Sequence, residues 1–279
     1  MTRTIKQLLI FVFILVFFTN TALTQDDMMD MPEPDESGMA SVNDIEVYYA
    51  VYGEGDPVIF LHGGLGHSDY WAYQISEFAE EYQVIVMDSR GHGRSTVSDE
   101  PIGYALMASD VIALMDFLDL ESASIVGWSD GGIIGLHIAI NNPDSLDMLV
   151  AYGANYNISG VRADAEENED FLAYVDLAVN DYLEMSPNPE LLDPFLENIS
   201  NMWGTEPDFS AEELASITAP VLVLDGWNEE AIITEHTIEM AALIGSAELT
   251  FIPDTGHFAM WETADRFNEI ILGFFATAG

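Results

Sequence analysis

The sequence contains no cysteine. A disulfide framework, a thiolate metal site and a cysteine nucleophile are therefore all excluded. Stability has to come from an apolar core instead, and 49% of the 279 residues are hydrophobic. Because a chain of this length can bury one substantial core, we expect a single domain.

Basic residues are also scarce. Six lysines and arginines oppose 49 aspartates and glutamates, which gives a formal net charge of −43. Because nucleic-acid binding requires clustered cations, nucleic acid is not expected as a partner, and adsorption to anionic membranes is disfavoured. We interpret the charge as a solvated acidic surface suited to a saline or otherwise demanding medium, rather than as a field that steers substrate.

A hydrophobic run long enough to span a bilayer is missing. The apolar stretch at 8–18 is shorter than the roughly 20 residues that a membrane-spanning helix needs. Two basic residues precede it, and small residues stand before Gln25 at the two positions that a signal peptidase requires. We therefore predict a cleaved signal peptide at 1–24 and a secreted or periplasmic protein with no membrane span after cleavage. An uncleaved membrane anchor is the less favoured alternative.

The remaining chain divides into a short leader and one domain. Residues 25–37 are acidic, rich in Met and Pro, and without apolar periodicity, which is typical of a flexible leader. The folded domain is predicted at 38–279. Within it, the interval at about 155–208 has no predicted strand and contains four prolines, so we expect a helical insertion over the top of the sheet.

Strands and helices alternate through the predicted domain. Short apolar runs predict strands at 39–42, 45–52, 58–61, 84–87, 124–127, 149–152, 221–224 and 249–252. Helical periodicity is found at 70–80, 104–118, 131–140, 234–244 and 264–275. Near-continuous hydrophobic strands that alternate with helices predict an α/β fold with a mainly parallel sheet covered on both faces.

The segment Gly127-Trp128-Ser129-Asp130-Gly131 lies between a predicted strand and a predicted helix. This pattern is typical of a nucleophile elbow, in which glycines on both sides allow the tight turn that raises a serine hydroxyl above the sheet. The string alone is common, but its position between a strand and a helix makes it specific. Ser129 is therefore the candidate nucleophile.

A serine nucleophile needs a general base, and the chain has six histidines. His257 lies between the last predicted strand and the last predicted helix, where the carboxyl ends of parallel strands form a site. Of the others, packing or backbone contacts are expected for His62, His92, His137 and His236, and nothing in the sequence singles out His67. His257 is therefore the candidate base.

The base in turn needs a carboxylate that orients it and stabilises its charged form. Three carboxylates, Asp225, Glu229 and Glu230, follow the penultimate predicted strand. Their place in the chain agrees with the order serine, acid, histidine. From the residues alone, all three are candidates.

A glycine-rich turn, His62-Gly63-Gly64, follows an earlier predicted strand. Glycines at this place allow backbone N–H groups to face a developing oxyanion, although an ordinary flexible turn would explain the same residues. Because the elbow lies downstream, we favour the functional interpretation. The predicted donors are the N–H groups of Gly64 and Asp130.

Four motifs together carry a family resemblance. They are His-Gly-Gly at 62–64, Asp-Ser-Arg-Gly-His-Gly-Arg-Ser at 88–95, Gly-Trp-Ser-Asp-Gly-Gly at 127–132 and Gly-His-Phe at 256–258. With these motifs in this order, the chain resembles the α/β-hydrolase superfamily over roughly 38–279. Within that superfamily it resembles the serine esterase or lipase-like branch. The resemblance implies an eight-stranded, mostly parallel sheet, a lid after the sixth strand, and a Ser–acid–His site without a cofactor or metal. The run at 88–95 is a structural turn in such proteins.

The resemblance also narrows the choice of acid. Members of the family commonly have Asp three residues after the glycine that corresponds to Gly226, and Glu229 stands at that place here. Asp225, at the strand end, suits a turn contact to backbone N–H groups, and Glu230 suits the start of the following helix. We therefore predict a triad of Ser129, His257 and Glu229.

The expected reaction is hydrolysis of a small-molecule carboxylic ester through an acyl-enzyme. A lactonase, an aminopeptidase-like amidase and a carbon–carbon bond hydrolase are the alternatives, since the fold favours none of these chemistries. A non-catalytic binding protein on the same fold is less favoured, because all parts of a triad are present.

The acidic composition leads to a first prediction. Many carboxylates with few counter-charges repel one another, and added salt shortens the Debye length to about 3 Å at 1 M. The melting temperature should therefore rise between low and molar NaCl concentrations in thermal unfolding experiments. A flat or falling curve would show that repulsion among carboxylates does not limit stability.

Overall fold

The computed structural model describes residues 31–98 and 100–278. The predicted signal peptide at 1–24 lies outside these residues. The eight predicted strands all form, as β1 (Glu36–Val42), β2 (Ile45–Tyr52), β3 (Asp56–Leu61), β4 (Tyr82–Met87), β5 (Ala123–Trp128), β6 (Leu146–Tyr152), β7 (Val221–Gly226) and β8 (Ala247–Ile252). They belong to one sheet.

The sheet places one set of strand ends together. The strand order is β1-β2-β4-β3-β5-β6-β7-β8. β2 runs antiparallel to both of its neighbours, whereas β3 to β8 are parallel to one another. β5 lies near the middle and is buried along its whole length, as its continuous apolar sequence predicts. The carboxyl ends of β3 to β8 therefore meet at one edge, where a site is expected in this kind of sheet.

Helices follow most strands and cover the sheet. They are α1 (Ala72–Phe78), α2 (Tyr104–Phe117), α3 (Asp130–Asn141), α4 (Glu169–Met185), α5 (Leu192–Trp203), α6 (Ala211–Ala215), α7 (Thr234–Leu243), α8 (Ala259–Glu262) and α9 (Ala264–Ala278). α2 packs beside α3, and α1 packs beside α9. The predicted fold class, a mostly parallel eight-stranded sheet with flanking helices, is confirmed. Over the described ranges, no helix combines the length and the hydropathy needed to cross a membrane.

The first strand begins at Glu36, two residues before the predicted start of the domain at Gly38. The Asp35 N–H donates to the Val51 carbonyl at 2.9 Å, and the Tyr49 hydroxyl donates to Glu36 at 2.7 Å. Pairing with β2 therefore extends the sheet into residues whose acidic composition alone indicates a leader.

The segment between β6 and β7 supplies two amphipathic helices, α4 and α5. α4 is joined to the loop after β3 by buried hydrogen bonds. In one of them, Asp181 of α4 accepts from the Tyr70 hydroxyl at 2.7 Å. The Nε2 atom of His67 lies 3.2 Å from the same carboxylate oxygen. The Tyr174 hydroxyl of α4 also donates to the Gly64 carbonyl at 2.5 Å. These contacts hold the insertion above the carboxyl ends of the central strands.

Candidate active site

Ser129 is the single residue between β5 and α3. Its backbone has φ 53° and ψ −117°, a conformation that a non-glycine residue adopts at a cost of about 1–3 kcal/mol. The Ser129 N–H donates to the Tyr152 carbonyl at the end of β6, at 2.8 Å. The neighbouring strand thus helps to hold the strained turn, which matches the geometry expected of a nucleophile elbow.

The glycines of the elbow are required by close backbone contacts. A Cβ atom at Gly127 would overlap the backbone of Gly131, and a Cβ atom at Gly131 would overlap the Leu61 carbonyl at the end of β3. The first turn of α3 therefore packs directly against β3 and β5. Only residues without a side chain allow Ser129 to stand at the junction of these three elements.

His257 lies on the loop between β8 and α8, and only 2% of its surface is exposed. Its Nδ1 atom is 2.7 Å from Oε1 of Glu229. An Nδ1–H that donates to this carboxylate leaves Nε2 free to accept a proton. Burial lowers the pKa of His257, although nearby carboxylates oppose this effect. The ring is therefore neutral at neutral pH, as a general base must be.

Glu229 follows β7 and is 5% exposed. Its Oε1 atom also accepts hydrogen bonds from the N–H groups of Ala231 at 2.7 Å and Ile232 at 3.0 Å. Burial raises the pKa of Glu229 to about 7, although hydrogen bonds from Asp225 and these two N–H groups oppose the shift. As the pH falls through this value, Glu229 takes up a proton and can no longer stabilise a positively charged His257.

The other two candidate acids have different contacts. Asp225 accepts hydrogen bonds from the Gly226 N–H at 2.9 Å and the Thr237 hydroxyl at 2.6 Å. Glu230 accepts a hydrogen bond from the backbone N–H of His257 at 2.6 Å. The expectation that Glu230 caps the next helix is wrong, because α7 has no side-chain cap and the loop after β8 folds back to this carboxylate instead.

Gly64 and Asp130, the predicted oxyanion donors, line the same cavity as Ser129 and His257. Asp130 is the first residue of α3, so its N–H has no partner within the helix. The positive end of the helix dipole reinforces this donor. The arrangement brings a hydroxyl, an imidazole and two backbone amides to the edge of one cavity.

The side chain of Asp130 is a feature that the motif analysis missed, since it considered only the backbone of this residue. The carboxylate is 6% exposed and accepts hydrogen bonds from the Tyr104 hydroxyl at 2.8 Å and from Trp203 Nε1 at 3.0 Å. Burial raises its pKa to about 6, against the effect of these hydrogen bonds. An acidic residue directly after the nucleophile was the signal in the sequence, but its partners come from distant α2 and α5.

The cavity has a volume of about 200 Å³. Its wall is mainly apolar and includes Leu65, Trp128, Ile158, Phe171, Val175, Leu196 and Ile199. Several of these side chains come from the insertion, so α4 and α5 shape the space above Ser129. Three carboxylates, Asp130, Glu166 and Glu206, also line it, and no lysine or arginine of the described chain does.

The run at 88–95 follows β4 and is bonded to the loop after β3. Fully buried Asp88 accepts hydrogen bonds from the N–H groups of Ser68 and Arg94, each at 2.8 Å. The Ser89 N–H donates to Nε2 of His62 at 2.9 Å. These bonds connect the loop after β4 to the loop after β3, and they support the turn that carries Gly64.

Comparison with known proteins places this architecture in a family. The family profile described as alpha/beta hydrolase fold matches residues 56–184. The chain belongs to the α/β-hydrolase superfamily.

Two curated relatives of this α/β hydrolase come from Comamonas testosteroni. One is a 2-hydroxy-6-oxo-6-phenylhexa-2,4-dienoate hydrolase, 29% identical over 88% of this chain and 99% of the relative. The other is a 2-hydroxy-6-oxononadienedioate/2-hydroxy-6-oxononatrienedioate hydrolase, 28% identical over 89% of this chain and 99% of the relative. A solved enol-lactonase from Burkholderia xenovorans LB400 has a TM-score of 0.69 and 23% identity over 86% of this chain and all of that chain, a likeness of fold. These relatives support a general hydrolase activity.

The geometry around His257 predicts which carboxylate matters most. Glu229→Gln keeps the shape of the side chain but presents the wrong partner to Nδ1–H, so kcat should fall by about 10⁴, the loss known for the equivalent change in trypsin. Glu230→Gln and Asp225→Asn are matched controls and should keep most of the turnover. If Glu229→Gln keeps a near-wild-type kcat while Glu230→Gln or Asp225→Asn loses most of its turnover, the triad acid is the residue changed in that inactive variant.

Proposed function

We propose that this α/β hydrolase cleaves carboxylic esters through an acyl-enzyme formed on Ser129. The observation that carries the proposal is the contact between His257 and Glu229 beside a cavity that also contains the strained Ser129. Neutral His257 is suited to accept the proton of the serine hydroxyl as its oxygen attacks the ester carbonyl. Glu229 then stabilises the charged imidazole.

The remaining steps use the same groups. The N–H groups of Gly64 and Asp130 stabilise the negative oxygen of the tetrahedral intermediate. Collapse of this intermediate expels the alcohol, which takes the proton from His257 and leaves the acyl group on Ser129. A water molecule that His257 deprotonates then cleaves the acyl-enzyme, and the serine regains its proton.

The carboxylates that line the cavity favour a substrate whose acyl group is uncharged. The names of the two Comamonas relatives specify dienoate and related substrates, which carry carboxylates, and this makes carbon–carbon bond hydrolysis the second candidate. In this chain, Asp130, Glu166 and Glu206 line the cavity, and no cation of the described residues lines it. A buried substrate carboxylate would lack a cationic partner and face repulsion from these carboxylates, which costs several kcal/mol. We therefore favour uncharged esters.

We also propose that the enzyme acts outside the cytoplasm. This proposal depends on the predicted signal peptide at 1–24 and on the acidic composition. Detection of the mature chain in the periplasm or the medium, with an N-terminus near Gln25, would support it. An intact N-terminus on a cytoplasmic protein would contradict it.

Removal of the nucleophile is the direct test of the mechanism. Ser129→Ala should lower kcat for a 4-nitrophenyl ester by about 10⁴- to 10⁶-fold, because no other group forms the acyl-enzyme. Wild-type protein should also react with a fluorophosphonate probe, whereas the variant should not. If a folded Ser129→Ala protein keeps more than about a tenth of the wild-type activity, Ser129 is not the nucleophile.

Paired substrates test the preference for uncharged acyl groups. The 4-nitrophenyl esters of pentanoic acid and of glutaric acid have similar lengths, but only the second carries a carboxylate. The neutral ester should have a kcat/KM at least about tenfold higher, a difference of about 1.4 kcal/mol. Assays in molar NaCl screen the surface charge, so a difference that persists there comes from the cavity. Equal values, or a preference for the anionic ester, would favour the carboxylate substrates of the relatives.

A further inference from the structure

We propose that Asp225 is a positioning residue that stays protonated and donates a hydrogen bond to Oε2 of Glu229. This inference rests on the proposed function, in which Glu229 serves His257. Asp225 does not touch the substrate or the reacting atoms. It acts through Glu229, because it holds the second oxygen of this carboxylate in place.

The two oxygens of Glu229 have unequal surroundings. Oε1 receives three hydrogen bonds, from Nδ1 of His257 and from the N–H groups of Ala231 and Ile232. Oε2 is buried, and no N–H or hydroxyl group of the described residues donates a hydrogen bond to it. A buried carboxylate oxygen without a partner is costly, so a donor is expected here. Besides His257, the side chain of Asp225 is in hydrogen-bond contact with Glu229.

Asp225 fits this role because of its position. It is fully buried at the end of β7, and the Thr237 hydroxyl on α7 and the Gly226 N–H both donate to it. Two carboxyl groups in contact in a buried site cannot both be ionised, so they share one proton. Burial and the neighbouring Glu229 raise the pKa of Asp225 well above its usual range.

The distribution of donors decides which carboxyl keeps the proton. Oε1 of Glu229 has three donors, one of which is the His257 ring that becomes positive during the reaction. Asp225 has two neutral donors. The negative charge is therefore more stable on Glu229. The proton stays on Asp225, from which it is donated to Oε2 of Glu229.

The other titratable groups around the pair have different partners. Glu230 accepts from the His257 N–H, and Glu262 accepts from the N–H groups of Gly256 and Phe258. The Tyr152 hydroxyl donates to the Gly256 carbonyl. Asp130 lies in the cavity with its bonds to Tyr104 and Trp203. These contacts leave Asp225 as the described carboxyl in place to serve Oε2.

Two substitutions at Asp225 distinguish a protonated side chain, which donates a hydrogen bond, from an ionised one, which cannot. Asp225→Asn supplies an amide N–H to Glu229 and a carbonyl to Thr237, so kcat/KM at neutral pH should stay within about threefold of wild type. The acid limb of its pH profile should not move. Asp225→Ala removes the donor, so the pKa of Glu229 rises and the acid limb should move up by about one pH unit, with turnover at pH 7 reduced about fivefold or more.

The opposite outcomes would overturn the proposal. If Asp225 is an anion, Asp225→Asn removes a negative charge near His257, and the acid limb moves to lower pH. If Asp225→Ala keeps the wild-type profile, the donor is not needed. Should Asp225→Ala fail to fold, the profile of Asp225→Asn alone decides between the neutral acid and the anion.

An infrared measurement gives a readout that does not depend on ester hydrolysis. At pH 7, the difference spectrum of wild type minus Asp225→Asn should contain the carbonyl stretch of a protonated carboxylic acid. A carboxylate band in its place would overturn the inference. Because this spectrum is recorded without substrate, it can fail or succeed independently of the Ser129 and Glu229 variants, which test the proposed function itself.

Discussion

The strained turn at Ser129 is the constraint on which the rest of the site depends. It forms because α3 starts against β3 and β5 at a distance that only glycine permits. This contact requires a parallel arrangement of the central strands, which in turn requires strands that are apolar on both faces. The same arrangement brings the loops after β7 and β8 to the edge where Ser129 lies. The candidate acid, Glu229, and the candidate base, His257, therefore reach this edge as a consequence of the sheet.

Burial of carboxyl groups is the second organising feature of this edge. The chain has 49 acidic residues, and three that are buried near Ser129 and His257 are Asp130, Asp225 and Glu229. Each is tolerated because donors surround it: Tyr104 and Trp203 for Asp130, Thr237 for Asp225, and His257 with two N–H groups for Glu229. The fold thus places carboxyl groups next to the candidate base, and it leaves the cavity without a lysine or arginine from the described chain.

The insertion between β6 and β7 connects the fold to specificity. Its helices supply apolar side chains such as Phe171, Val175 and Ile199 to the cavity wall. Trp203 of α5 also holds the Asp130 carboxylate next to the nucleophile. The insertion therefore forms part of the cavity wall, and changes in α4 and α5 would alter which molecules fit into the cavity.

Much of the fold was readable from the sequence, because each strand is a short apolar run and most helices have a clear period. The positions of Ser129 and His257 could be anticipated for the same local reason, since both follow from motifs at strand ends. From the residues alone, Asp225, Glu229 and Glu230 were all candidate acids, because they are close in the chain and have the same chemistry, and the family resemblance favoured Glu229. Only the tertiary structure decided their contacts, because the loop from β8 folds onto β7 and brings the His257 ring to Glu229 and its backbone to Glu230. The carboxylate of Asp130 likewise depends on partners about 26 and 73 residues away, and such long-range contacts leave no local pattern to read.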